Sequence, residues 1–212
     1  KWLYNNNIEI PDNAAKVAAG AGELELLKWL KENNFKMLDT DNINIVAEEG
    51  HLNILKWLKE NNLGVPNNYG ANYAAQADNL HILEWMKENN LGLPNENGII
   101  NAVARGYLDI LEWACENAIE FSKESIADVA ASRGHIHILE WMKERNYPLT
   151  TIKGGDQACY NGYLQVLKWI KENNRPLPTL DAINAACKYG TCTLFEWLRS
   201  EERRVGKECL RL

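Results

Sequence analysis

No stretch of this 212-residue chain stays apolar for more than a few positions, and no basic, apolar, small-residue leader opens it. A membrane span and a signal peptide are therefore not expected, since a span needs about 20 apolar residues in a row. Cysteine is scarce and odd in number, five in all, and no N-x-Ser/Thr sequon occurs. That combination points to free thiols in a reducing compartment, the cytoplasm. Basic charge is also short: 23 Lys and Arg face 29 Asp and Glu, a net charge of -6. Because phosphate binding draws on a clustered cationic excess, no nucleic-acid partner is expected. No phosphate loop, nucleophile elbow or dinucleotide fingerprint is present, so neither an enzyme activity nor a cofactor is expected. With 46% hydrophobic and 25% charged residues, the chain still has the balance of a folded protein.

Against these absences stands strong repetition. The tryptophans fall at Trp2, Trp29, Trp57, Trp85, Trp113, Trp141, Trp169 and Trp197, and from Trp29 onward each interval is 28 residues. Gly22, Gly50, Gly106, Gly134, Gly162 and Gly190 share one slot of the same period, with Asp78 as the exception. A second slot holds Ala18, Val46, Ala74, Ala102, Ala130, Ala158 and Ala186. Fixed-period self-similarity of this kind predicts a solenoid.

Each unit reads as two short helices. Asp12, Asp39, Asn67, Asn95, Lys123, Thr151 and Thr179 stand where helix A should start, and all but Lys123 are N-cap residues. The Gly slot ends helix A at a left-handed residue, where Asp is a tolerable substitute. Helix B follows as NLHILEWMKENN, in which Leu80, Ile82, Leu83, Trp85 and Met86 cover an arc of roughly 220°, so it must be sandwiched. Asn33, Asn61, Asn89, Asn117 and Asn173 stand where helix B should stop in a left-handed turn. One apolar plug per loop is then expected at Met37, Val65, Leu93, Phe121, Leu149 and Leu177.

The string GHLNILKWLKENN at Gly50 to Asn62, preceded by Val46 and Ala47, resembles the second half of an ankyrin repeat, and GHIHILEWMKERN at Gly134 to Asn146 is similar. The Trp of helix B and the short period look like the divergent ankyrin-type arrays of large DNA viruses of protists. The resemblance implies an all-α, ankyrin-like solenoid of about seven helix-turn-helix repeats over residues 1–198. The TPLH-type opening is missing and the unit is five residues shorter than the usual 33, with the deficit in the connection from helix B to the next helix A. Short loops and little or no β-hairpin follow. Lys1 opens the chain in place of Met, so it reads as a fragment of a longer protein. Residues 199–209, RSEERRVGKEC, resemble a translated sequencing adaptor, and 199–212 is set aside as a non-native tail. Without it 18 basic residues face 26 acidic ones, a balance of -8.

The chemistry-bearing residues have bland explanations. The Trp column reads as packing between repeats and the Asn column as capping. His51, His81, His135 and His137 lack a zinc-finger quartet, so no metal is expected. Cys159 and Cys187 read as buried substitutes for Ala, and Cys115, in a slot that elsewhere holds Lys, as exposed.

One column refuses to repeat. The two positions before the Gly slot read Gly20-Ala21, Glu48-Glu49, Gln76-Ala77, Ala104-Arg105, Ser132-Arg133, Tyr160-Asn161 and Lys188-Tyr189. In ankyrin-like solenoids these positions line the concave side, so the resemblance makes Glu48, Glu49, Gln76, Arg105, Arg133, Tyr160, Asn161, Lys188 and Tyr189 the candidate protein-binding residues. The expected function is non-catalytic protein recognition by a monomer in the cytoplasm, that of the host if the chain is viral. The alternative is the substrate-recognition segment of a ubiquitin-ligase adaptor whose F-box lies outside this chain.

Overall fold

The computed structural model describes residues 9–188 and Trp197, which is helical. Of the expectations above, Trp2, Tyr189, Gly190, the 199–212 tail and the side chains of Cys187 and Lys188 lie outside the described residues. Thirteen helices and no strand occur among the described residues. The helices alternate between the two types. Helices A are α1 (Ala14–Gly20), α3 (Thr40–Glu48), α5 (Asn68–Gln76), α7 (Glu96–Arg105), α9 (Lys123–Arg133), α11 (Ile152–Tyr160) and α13 (Leu180–Lys188). Helices B are α2 (Leu24–Glu32), α4 (Leu52–Glu60), α6 (Leu80–Glu88), α8 (Leu108–Glu116), α10 (Ile136–Glu144) and α12 (Leu164–Glu172). This is an all-α helical-repeat solenoid with short loops.

The chain forms two compact units. One holds the described residues as far as Ala102 together with Asp109–Ile119; the other holds Val103–Leu108 and the described residues from Glu120 onward. In the first unit α3 packs against α1 and α5, and in the second α11 packs against α9 and α13. Helix A is narrow on its inner side, with Ala71, Ala74 and Ala75 fully buried in α5 and Ala127, Ala130 and Ala131 in α9. Helix B supplies the bulk, as Ile82, Leu83 and Met86 in α6 and Ile138, Leu139 and Met142 in α10. Burying these side chains contributes about 1.5–3 kcal/mol each before chain entropy is charged.

Side chains start helix A much as expected. Asp39 accepts from the Asn42 N–H at 2.9 Å, Asn67 from Tyr69 at 2.9 Å and Thr151 from Lys153 at 3.2 Å. Two starts differ. Ser122, not Lys123, caps α9 and accepts from Ser125 at 3.1 Å, leaving Lys123 as the first helical residue. Asn13, not Asp12, precedes α1, and it makes no capping bond.

Helix A ends at left-handed glycines, φ +75° to +91°, and the amide one residue further on bonds back across the turn, as from His51 to Val46 O at 3.2 Å. The same closure ends helix B, but one residue later than expected. Asn34, Asn62, Asn90, Asn146 and Asn174 are left-handed, with Ala118 in the remaining repeat. The preceding Asn is not left-handed: its Nδ2 donates to the carbonyl of the Trp four residues back, Asn33 to Trp29 at 2.8 Å and Asn89 to Trp85 at 2.7 Å. The Trp and Asn columns are thus one device. The plug is displaced too: Met37, Val65, Leu93, Phe121 and Leu149 are half-buried and Leu177 is exposed, whereas the residue after the plug, such as Leu38, Pro66, Pro94 or Thr150, is buried.

Asp78, in the Gly slot, is left-handed at φ +63°. Burial raises its carboxyl pKa, and the Asp109 charge adds to the rise. A raised carboxyl penalises the ionised fold, so the penalty is absent below the ordinary carboxylate range and present above the raised value. Asp78→Gly is therefore expected to stabilise by about 1 kcal/mol from backbone strain alone. Urea titrations should show a gain at pH 7 larger than at pH 3; a loss at pH 7 would refute this account.

Candidate binding edge

The turns after helix A form an edge held together by hydrogen bonds between consecutive repeats. In the first unit His51 Nε2 lies 3.0 Å from Gly20 O and His81 Nε2 lies 3.3 Å from Gly50 O. Asn79 Nδ2 donates to Ala47 O and Glu48 O at 3.1 and 2.7 Å. In the second unit His135 Nε2 meets Ala104 O at 3.0 Å, His137 Nε2 meets Gly106 O at 2.9 Å, and Asn161 Nδ2 donates to Ser132 O at 2.8 Å. A carbonyl only accepts, so each of these rings carries its proton on Nε2. The histidines fasten one repeat to the last.

A second set of bonds runs along the other end of helix A. Asn44 Oδ1 accepts from the Asn67 N–H at 3.0 Å, and Asn72 Oδ1 from Asn95 at 2.9 Å. Asp128 accepts from the Thr151 N–H at 2.7 Å and from the Thr150 and Thr151 hydroxyls at 2.9 and 2.8 Å. Asp156 takes the Thr179 N–H at 2.6 Å. The N-caps Asn67, Asn95, Thr151 and Thr179 are therefore each positioned by a carboxamide or carboxylate of the preceding repeat, a column at the 28-residue period that the sequence analysis passed over.

The candidate residues fall in both units. In the first, Glu49 is exposed at the end of α3, while Glu48 and Gln76 are half-buried, and Gln76 Oε1 accepts from Asn101 Nδ2 at 3.1 Å. In the second, Arg105, Arg133, Tyr160 and Asn161 are exposed. Lys188 is the last residue of α13, and its side chain, like Tyr189, lies outside the described residues. The residue immediately before the Gly slot is thus the one that meets solvent most consistently, and the one before it is mostly half-covered. Reasoning from the Gly slot missed Tyr69 and Tyr73, 65% and 38% exposed on the outer side of α5. The column of Tyr73, with Ile45, Asn101, Val129 and Gln157, and that of Tyr69, with Asp41, Asn97, Ser125 and Lys153, also vary from repeat to repeat, and that variation was the available signal. Cys115 is half-buried, not exposed as expected, and Cys159 is buried. Among the described residues no helix is long and apolar enough to cross a membrane.

No family model matches the chain, and no curated protein is similar to it. Among solved structures, similarity is found to the pentatricopeptide repeat protein PPR10 from maize, with 12% identity and a TM-score of 0.42 over 95% of this chain. A structure of that protein in complex with an 18-nt psaJ RNA element is similar at 13% identity and a TM-score of 0.39. This chain spans 36% to 41% of the length of those chains.

The expectation that excluded nucleic acid is corrected at this point. Two of the similar structures are of a helical-repeat protein holding an 18-nt RNA element. The exclusion rested on net charge, a property of the whole chain, whereas a phosphate meets only a local surface. The exposed arginines of the second unit show how far the local balance departs from the mean.

Proposed function

We propose that this chain is a non-catalytic recognition scaffold that binds a protein partner through the helix A ends. The observation that carries the reading is the contrast between columns. Positions that build the fold, the Trp, Asn, Ala and Gly slots, are close to uniform, while the solvent-facing residues beside the Gly slot pass from Glu49 to Arg105, Arg133 and Asn161. A stiff edge with private chemistry in each repeat suits one partner. The Gly-His turns at Gly50-His51 and Gly134-His135, with their ring-to-carbonyl bonds, support an ankyrin-like affinity within the helical-repeat class.

Most of the affinity rests on Arg105, Arg133 and Tyr160, because Arg and aromatic side chains dominate interface hot spots. The test replaces these three together with Ala and compares pull-downs with wild type, each with and without RNase. All three are exposed, so the variant keeps its helical circular dichroism. Loss of the same RNase-resistant protein set from the variant supports the reading. Recovery of identical proteins by both chains would move the site elsewhere, and recovery that depends on RNA would replace the protein partner with a nucleic acid.

A further inference from the structure

We propose that the second unit's edge takes an acidic peptide segment in polyproline-II conformation, with carboxylates three residues apart on Arg105 and Arg133 and an apolar or aromatic side chain over Tyr160. The proposal rests on the reading above that the helix A ends bind protein, and it names the chemistry of the partner.

Arg105 and Arg133 are the last residues of α7 and α9, and both are exposed. Neither guanidinium has a hydrogen bond or ion pair among the described residues. Lys153, near the start of α11, is a third exposed cation whose ammonium is likewise unengaged. The acids in the middle of α9 and α11 are engaged at the N-cap of the next helix A, at the opposite end from Arg105 and Arg133. Asp128 is occupied by Thr150 and Thr151, and Asp156 by the Thr179 N–H and hydroxyl. The ends of α7 and α9 therefore each present an exposed, unengaged guanidinium within an acidic chain.

Its spacing is fixed by the backbone. The bonds from His135 to Ala104, from His137 to Gly106 and from Asn161 to Ser132 flank Arg105 and Arg133 and root both side chains on fastened turns. Adjacent packed helices stand about 8–10 Å apart. A polyproline-II chain rises about 3.1 Å per residue with three residues per turn, so residues three apart share one face and cover one repeat. Two carboxylates in an acid-x-x-acid pattern then meet successive guanidiniums, each of which donates a two-pronged pair of hydrogen bonds to its carboxylate. Three residues further on, the same chain arrives over Tyr160, which is 41% exposed.

The experiment is fluorescence anisotropy of the full chain with labelled peptides of about ten residues in low salt. The probes are a Glu-x-x-Glu-x-x-Phe peptide, the same composition with the acids five residues apart, a Lys-x-x-Lys-x-x-Phe peptide and a single-stranded RNA of about ten nucleotides. Three-residue spacing should bind at least about fivefold more tightly than five-residue spacing. Arg105→Ala with Arg133→Ala should weaken it by about 10- to 100-fold, as expected for losing hydrogen bonds to charged groups. Tyr160→Ala should weaken the Phe peptide but not a peptide with Gly in its place. Equal affinity for the two spacings, preference for the Lys peptide, displacement by RNA at lower concentration, or no binding to any probe at millimolar concentration would each overturn the proposal. If the peptides fail while the triple variant still loses its protein partners in pull-downs, only the acidic chemistry is wrong.

Discussion

Trp113→Ala should cost about 3–5 kcal/mol of stability, the range for deleting a large packed ring. Trp113 is 7% exposed in α8 and its counterparts Trp85, Trp141 and Trp169 are 4–6% exposed, while Trp29 and Trp57 are half-buried, so from Trp85 to Trp169 the column belongs to the core and offers no ladder to a ligand. The substitution leaves the backbone carbonyl that accepts from Asn117 Nδ2 at 2.7 Å. Ring and cap can therefore be separated. Asn117→Ala, which removes the cap and keeps the ring, should cost about 1 kcal/mol. Because each helix pair buries its faces only against neighbours, the loss should spread to adjacent repeats and not stay in one. Urea unfolding followed by far-UV circular dichroism and by tryptophan fluorescence measures both variants. A cost below about 1 kcal/mol for Trp113→Ala would mean that the ring does no packing, and a ligand-binding role for the column would return.

The parts of this architecture that sequence reasoning reached are those in which one residue type does one job in every repeat. Trp, Ala and Gly columns are uniform because a ring, a close helix approach and a left-handed φ each admit few substitutes. The Asn pair was assigned to the right turn but to the wrong member, since the first Asn of each pair looks like the end of the helix. Only the geometry shows the first Asn bonding back to Trp and the second adopting positive φ. The column of Asn44, Asn72, Asp128 and Asp156 stayed hidden for another reason. Lys16 and Ile100 interrupt it, and polar residues in mid-helix read as solvent-facing until a neighbouring backbone N–H is seen to point at them. The candidate edge was half legible. Its position followed from the Gly slot, whereas the split between an exposed residue and a half-covered one, and the exposed Tyr69 and Tyr73, depend on how helices A lean on one another.

That leaning sets the last prediction, in which two adjacent glycines respond in opposite directions to the same methyl group. Gly154 and Gly155 are both buried in α11. A Cβ on Gly154 would come within 2.5 Å of Asp128 Oδ1 and 2.8 Å of Asp128 Cα, and closer still to Thr150 Oγ1. Asp128 Cα is backbone, so the clash cannot be relieved by turning a side chain. Thr150 is fully buried and donates to Asp128, so parting α9 from α11 also strands a buried hydroxyl. Overpacking costs about 1–3 kcal/mol and an unsatisfied buried group about 1–3 more. Gly154→Ala is therefore expected to destabilise by at least about 3 kcal/mol, enough to weaken the docking of α11. A Cβ on Gly155 meets nothing nearer than Pro176 O at 3.6 Å and Ile170 Cδ1 at 3.7 Å, ordinary contact distances. Its only other effect is to remove the entropy cost of glycine inside a helix, so Gly155→Ala should stabilise by about 0.5–1 kcal/mol. Chemical denaturation of the two single variants against wild type reads both signs. If Gly154→Ala is neutral, α11 does not pack on α9 through this polar seam, and the Thr151 N-cap must be positioned by something other than Asp128.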